Sequence, residues 1–450
     1  MRTLFGTDGI RGTANTYPIT PEIALKVGKA IGAVFGGPGC RTRRVVIGKD
    51  TRRSGYMLEA ALTSGLVSTG MSVYLVGPVP TPAVAHLTRS MNAAAGIVLT
   101  ASHNPYEDNG IKIVDSQGYK LTDGVEEEIE RLMFSDEAMA QALVGRDIGK
   151  AAMLDDARGR YIEFAKNTIG NESLSGLRVV LDCANGAAYL IGPWVFDELG
   201  AEVVENSTTP DGYNINAGCG ATHPQNIAQL VRTYRADVGI AFDGDADRVI
   251  FADARGVVLD GDRILALCAL DCLQRGMLAK NTLVVTSMSN LGLHDAMRER
   301  GIAVEVTEVG DRCVLERMRA GGFNLGGEKS GHVIFHDFAT TGDGIITALQ
   351  VLKTMKRSGK PLADLADCMV EYPHRQESVK VQEKRPLEEL TELPRLLQTC
   401  AAELGSAGRV LARYSGTEKK LRLLVEARDA EAVRTWMERL TAAARKELGA

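Results

Sequence analysis

Short β-branched runs alternate with helical periodicity over most of the chain. Residues 43–48 (RRVVIG), 72–77 (SVYLVG) and 95–100 (AGIVLT) read as strands separated by helical stretches, the pattern of successive βαβ units around a parallel sheet. Ahead of them, Thr20 can cap a helix that opens on Pro21 and carries Ile23, Ala24, Val27 and Ile31 on one face. A charged, uneven stretch at 118–150 closes this first unit. The alternation restarts with strands at 177–182 (LRVVLD), 201–205 (AEVVE) and 237–242 (DVGIAF). It restarts again with a helix from 262, strands at 282–287 (TLVVTS) and 302–307, and a helix at 311–320. From residue 361 the order changes to strand (378–382), helix, two strands flanking 415–419, and a final helix from 430, which reads as a smaller α+β domain. The expected fold is α/β: three similar α/β domains with mixed, mostly parallel sheets plus a smaller C-terminal α+β domain, around a central cleft. The expected boundaries are 1–150, 151–256, 257–365 and 366–450.

Composition narrows the function classes. Lys+Arg 52 against Asp+Glu 57 leaves a net charge of -5, too mild and too mixed for a nucleic-acid or polybasic membrane binder. The uncharged stretch 60–88 is broken by Pro78, Pro80 and Pro82, so no membrane span is expected. The first residues lack a signal-peptide pattern, and the eight cysteines are scattered without a CxxC; both point to a reduced, cytoplasmic compartment. Glycine is the one marked excess, 48 residues, so many tight turns are expected. They fall where strand-like runs end.

Four such turns carry chemistry. Residues 100–105 (TASHNP) follow a strand, and in open α/β sheets ligands bind beyond the carboxyl ends of strands; Ser102 is therefore placed to react. No G-x-S-x-G elbow surrounds it, so acyl transfer is not indicated. Residues 243–248 (DGDADR) join two apolar strands and gather Asp243, Asp245 and Asp247, a crowding of like charge that asks for a cation. An EF-hand is excluded by Arg248 and Ala254 at its glycine and glutamate positions, and a few carboxylates with room for phosphate oxygens suit Mg²⁺. Residues 327–332 (GEKSGH) lack the P-loop spacing but offer carboxylate, ammonium, hydroxyl and imidazole, groups suited to sugar hydroxyls. Residues 413–418 (RYSGTE), with Arg422 just beyond, combine the donors a phosphate dianion wants. Two further polar turns, 5–12 (FGTDGIRG) and 48–55 (GKDTRRSG), add cations near the first sheet.

Together with NGIK at 109–112, these ordered motifs span the whole chain and resemble the phosphohexomutase superfamily. The resemblance implies that Ser102 is a phosphoserine and that Asp243, Asp245 and Asp247 hold Mg²⁺ together with a Ser102 phosphate oxygen. Glu328 and Ser330 would hold sugar hydroxyls. Arg413, Ser415, Gly416 and Thr417, with Arg422, would grip the phosphate that is not transferred. Arg11, Lys112, His103 and His332 would surround the reacting oxygen, Lys112 and Arg11 being the candidates for moving the proton. SGTE and the FGTDGIRG opening are similar to the amino-sugar branch, while Lys329 and Lys419 stand where that branch usually has Gln and Pro. The four domains would then carry phosphoserine, metal, sugar and remote phosphate in turn. The implied activity is an isomerase-class phosphotransfer between the 6- and 1-positions of glucosamine phosphate through a glucosamine 1,6-bisphosphate, supplying UDP-N-acetylglucosamine for cell-wall synthesis. The alternative is a mutase of neutral hexose phosphates; a Ser-dependent metallophosphatase and a non-catalytic sugar-phosphate sensor are the other classes. Partners are small sugar phosphates, with no nucleic acid and no membrane, and a homodimer is compatible with the chain.

Overall fold

The computed structural model describes residues 4–6, 8–37, 42–140, 143–415 and 419–449. Strands β1 (Ile10–Thr13), β2 (Arg44–Lys49), β3 (Ser72–Pro78), β4 (Ala95–Leu99), β5 (Asp108–Asp115) and β6 (Ala151–Met153) form a six-stranded sheet in the order β1-β5-β4-β2-β3-β6. A second sheet contains β7 (Arg178–Asp182), β8 (Glu202–Asn206), β9 (Val238–Phe242), β10 (Val249–Asp253) and β11 (Val258–Leu259), ordered β11-β10-β9-β7-β8. A third contains β12 (Thr282–Thr286), β13 (Ala303–Thr307), β14 (Leu325–Gly327) and β15 (Val333–Phe335), ordered β13-β12-β14-β15.

The threefold rhythm of the sequence is one topology used three times. In each sheet a first strand (β2, β7, β12) pairs in parallel with a second (β3, β8, β13) and a third (β4, β9, β14). A fourth strand (β5, β10, β15) then returns antiparallel beside the third. The sheets are mixed and mostly parallel, as expected. The turn between third and fourth strands holds TASHNP in the first sheet, DGDADR in the second and EKSGH in the third. Carboxyl ends of parallel strands are where such folds bind ligands, so each sheet delivers one polar turn to the same kind of place. Strand β6 pairs with β3, so the first sheet includes Ala151–Met153.

The local code explains the scaffold. Thr20 caps the helix Pro21–Phe35, its side chain accepting from the Ile23 N–H. That helix and Ser54–Ser68 bury Val27, Ile31, Leu58, Leu62 and Leu66 against Val45, Ile47, Ile97 and Leu99 of the sheet. Strand β4 is buried along its whole length, as a strand covered on both faces should be. Among the described residues, no helix is long and apolar enough to cross a membrane.

The chain divides into two compact units, residues 1–288 with 302–368, and residues 289–301 with 369–450. In the second, β16 (His374–Lys380), β17 (Gly408–Tyr414) and β18 (Lys420–Ala427) form an antiparallel sheet in the order β16-β18-β17. Leu421, Leu423 and Val425 face the helices Leu393–Leu404 and Ala430–Leu448, packing with Leu393, Trp436 and Leu440. The helix Leu291–Glu299, which sequence order places within the third α/β alternation, packs with this unit instead. Its Leu291 N–H donates to Glu426 Oε1 at 2.5 Å, and Glu426 is buried in an ion pair with Arg409 at 2.7 Å.

Candidate active site

Ser102 sits at the start of the turn between β4 and β5, buried, with φ of 50°. Left-handed backbone is uncommon for serine and persists only where the surroundings impose it. Its Oγ donates to Asp243 Oδ2 at 2.6 Å and lies 3.4 Å from His103 Nδ1. Arg248 donates from Nη1 to the same His103 nitrogen at 3.0 Å, which requires that nitrogen to be unprotonated. Burial, then Arg248 and Arg11, push His103 down to about 4, so its ring is neutral at pH 7.

The turn between β9 and β10 presses directly on the serine turn. A Cβ on Gly244 would stand 2.6 Å from the Ser102 carbonyl oxygen, so glycine permits the approach. Asp243, Asp245 and Asp247 are all buried, and a ligand oxygen from each lies within 4.8 Å of the others. Burial, then Asp247 and Asp245, push Asp243 up to about 8. Asp247 is held well below the usual carboxylate range: burial opposes its ionisation, but Lys112, His332 and Arg248 outweigh it. Asp245 Oδ1 and Asp247 Oδ1 are buried without a hydrogen-bond partner. Crowded carboxylates with orphaned inward oxygens fit a small, hard divalent cation. The helix Gly344–Ser358 braces this turn from behind, the Gly344 N–H donating to the Ala246 carbonyl at 3.0 Å.

A web of charges surrounds these two turns. Lys112 on β5 lies 2.9 Å from Asp245, 3.1 Å from Asp8 and 3.5 Å from Asp247. Burial disfavours its ammonium, but Asp245, Asp8 and Asp247 outweigh this and hold Lys112 well above the ordinary lysine range. Arg11 pairs with Asp8. Lys120 bridges Asp8 at 2.5 Å and Asp311 at 2.6 Å, two residues that the sequence reading did not single out for this site. His332 is buried between Asp247 (3.7 Å) and Asp311 (3.5 Å), and its Nε2 accepts from the Gly342 N–H at 2.9 Å. That bond places the ring's proton on Nδ1, toward Asp247. Spacing in the sequence carries no trace of the Lys120–Asp311 contact, because its members are 191 residues apart.

The expected sugar-binding residues share the turn between β14 and β15. Glu328 is half-buried, its Oε1 accepting from the Gly310 N–H at 3.1 Å and its Oε2 from Ser330 Oγ at 3.5 Å. Lys329 lies 3.3 Å from Asp260, so its charge has a carboxylate beside it. Ser102, His103, Arg11, Lys112, His332, Glu328, Ser330 and the three aspartates all belong to the first compact unit. Arg413, Ser415 and Arg422 belong to the second, where Arg413 and Arg422 stand directly opposite on β17 and β18 with Ser378 of β16 in line. Two guanidinium groups in one cross-strand pair repel each other. Ser415 is buried, its carbonyl accepting from Lys384 Nζ at 2.6 Å. Gly416 and Thr417 lie outside the described residues.

Comparison with known proteins agrees with this layout. The phosphoglucomutase/phosphomannomutase α/β/α domains I, II and III match residues 2–140, 159–256 and 260–372, and that family's C-terminal domain matches 378–443. A phosphoglucosamine mutase of Pelobacter propionicus is 51% identical over 450 residues, covering 100% of this chain and 99% of the relative. One from Syntrophotalea carbinolica is 52% identical over 427 residues, covering 95% and 93%. The crystal structure of a phosphoglucomutase/phosphomannomutase family protein from Burkholderia thailandensis superposes with a TM-score of 0.80 at 26% identity, over 98% of this chain and 97% of that one. With four consecutive domain matches and whole-length relatives at this identity, the chain belongs to the phosphoglucomutase/phosphomannomutase family.

Proposed function

We propose that the chain interconverts glucosamine 6-phosphate and glucosamine 1-phosphate by way of phospho-Ser102 and a glucosamine 1,6-bisphosphate. The observation that carries this reading is the 2.6 Å hydrogen bond from Ser102 Oγ to Asp243, one of three buried, clustered carboxylates. The name shared by relatives of 51% and 52% identity supports the amino sugar as substrate.

Asp243, Asp245 and Asp247 would hold Mg²⁺, which when bound supplies a Lewis acid beside the phosphoryl oxygens. Ser102 carries the phosphoryl group. As a sugar hydroxyl oxygen bonds to phosphorus, the Ser102 Oγ–P bond breaks, the sugar loses its hydroxyl proton and Ser102 Oγ gains one. The bisphosphate then turns over, and its other phosphate returns to Ser102, restoring the enzyme. Phosphoryl transfer needs positioning and charge stabilisation more than elaborate covalent chemistry. Lys112 and Arg11 are the groups proposed to handle the proton, Lys112 entering as the ammonium that its carboxylates favour. His103 and His332 would flank the reacting oxygen, His103 as a neutral ring. Glu328 and Ser330 would hold ring hydroxyls. Arg413, Ser415, Gly416, Thr417 and Arg422 would hold the remote phosphate, groups that occupy similar places in both orientations of the sugar.

The test is kcat/KM for formation of the 1-phosphate from glucosamine, glucose and mannose 6-phosphates, using the Mg²⁺-loaded, Ser102-phosphorylated protein. The reading expects glucosamine 6-phosphate to lead by about tenfold or more, roughly 1.4 kcal/mol in the transition state. A neutral hexose in the lead would reassign the substrate.

A further inference from the structure

The turn that presents Ser102 has few backbone partners of its own, and one fully buried side chain supplies them. Arg52, in the turn after β2, is 0% exposed. Its Nη2 donates to the carbonyls of Ser102 (2.9 Å) and Asn104 (2.8 Å). Its Nη1 donates to the carbonyls of Asp108 (3.1 Å) and Pro105. Its Nε donates to Asp50 Oδ2 at 2.8 Å. A guanidinium has five N–H donors in a fixed fork, and these bonds use every one. Arg52 is therefore no spare cation for a substrate phosphate, although the sequence alone suggests one there.

Two more residues complete the clamp. Asp50, buried to 0% exposure, accepts from Thr100 Oγ1 at 2.6 Å, and that oxygen in turn accepts from the Ser102 N–H at 2.9 Å. From the second sheet's side, Asn216 Nδ2 donates to the Ser102 carbonyl at 2.9 Å and the Asn104 carbonyl at 3.1 Å. The Ser102 peptide is thus held at its N–H and doubly at its C=O, in a left-handed conformation that serine does not favour by itself. Held this way, Oγ faces Asp243.

We infer that Arg52, with Asp50 and Asn216, is the positioning group that fixes the Ser102 backbone for phosphoryl transfer. The inference rests on the reading of Ser102 as the phosphoryl carrier. Lysine cannot replace the fork, because its ammonium has three donors at one point rather than five spread over a plane.

The experiment uses the full chain with Arg52→Lys, Asn216→Ala and, as control, Ser102→Ala. Each is assayed with Mg²⁺ and glucosamine 6-phosphate, and loading of Ser102 from glucose 1,6-bisphosphate is followed by intact mass. In each folded positioning variant, kcat is expected to fall by about tenfold or more while KM stays within about threefold, with phosphoryl loading slowed in parallel. A folded Asn216→Ala protein with kcat within about twofold of the parent, or a loss confined to KM, overturns the inference. Should Arg52→Lys fail to fold, Asn216→Ala decides alone. Turnover persisting in Ser102→Ala would instead overturn the phosphoserine reading, so the two failures are distinguishable.

Discussion

Ser102 Oγ and Asp243 Oδ2 lie 2.6 Å apart although 141 residues separate them, because the turns after β4 and β9 occupy equivalent places in two copies of one topology and meet. The Ser102 oxygen of one sheet is thereby delivered to the carboxylate cluster of another. Ser102→Ala removes the hydrogen bond to Asp243 and the long contact with His103, a stability loss of about 1 kcal/mol. Its melting temperature should stay close to that of the parent, whereas 1-phosphate formation should fall by roughly a thousandfold or more if the covalent route is lost. Steady-state assays beside thermal unfolding check this.

Asp243 makes the metal-free protein pH-sensitive. Burial beside Asp247 and Asp245 keeps its carboxyl protonated up to about 8 in the folded chain, whereas an unfolded aspartate ionises near 3.8. Between those values the folded state binds more protons, so stability falls as pH rises, by up to about 1.4 kcal/mol per unit from this group. His332, whose value is also raised against the cost of burial by Asp247 and Asp311, acts in the same sense but is unchanged by mutation at 243. In chelator, thermal unfolding should drop between pH 5 and 8. Asp243→Asn should flatten the drop, as should millimolar Mg²⁺ in the parent; equal slopes in parent and variant contradict the assignment.

Lys120 ties Asp8 to Asp311; all three are half-buried, and without Lys120 Asp8 keeps Arg11 and Lys112 while Asp311 keeps His332. Lys120→Met should cost about 1 kcal/mol in denaturant unfolding. Because Asp8 also holds Arg11 and Lys112, kcat should decline with it.

Lys329 and Asp260 form a partly exposed pair, worth little to stability. Lys329→Gln should leave the melting temperature nearly unchanged. Removing a cation from the turn that carries Glu328 and Ser330 should raise the kcat/KM ratio for glucosamine over glucose 6-phosphate, by up to about tenfold. An unchanged ratio would mean that Asp260 already cancels the charge.

The parallel strands were legible because they are unbroken β-branched runs, and RVVIGK, RVVLD and TLVVT form strands where periodicity places them. The returning strands were harder to read. β5 is DNGIKIVD, poor in strand-forming residues at its start, and β15 has only three residues, as does the parallel strand β14 beside it. The aspartate turn announces itself through like charges at alternate positions. Arg52 does not, since four of its five partners are backbone carbonyls and those lie 50 to 56 residues away; in sequence it resembles any loop cation. Lys120 and Asp311 are hidden because 191 residues separate the two members of the pair.

The most direct test of the account is a single-turnover transfer. Ser102 is loaded with labelled phosphate from glucose 1,6-bisphosphate, the sugar is removed, and unlabelled glucosamine 6-phosphate is added with Mg²⁺. The account predicts that the label leaves the protein and is recovered on the sugar, first in the bisphosphate and then at the 1-position of glucosamine phosphate. Label released as inorganic phosphate, or retained on Ser102 while product forms, would contradict it.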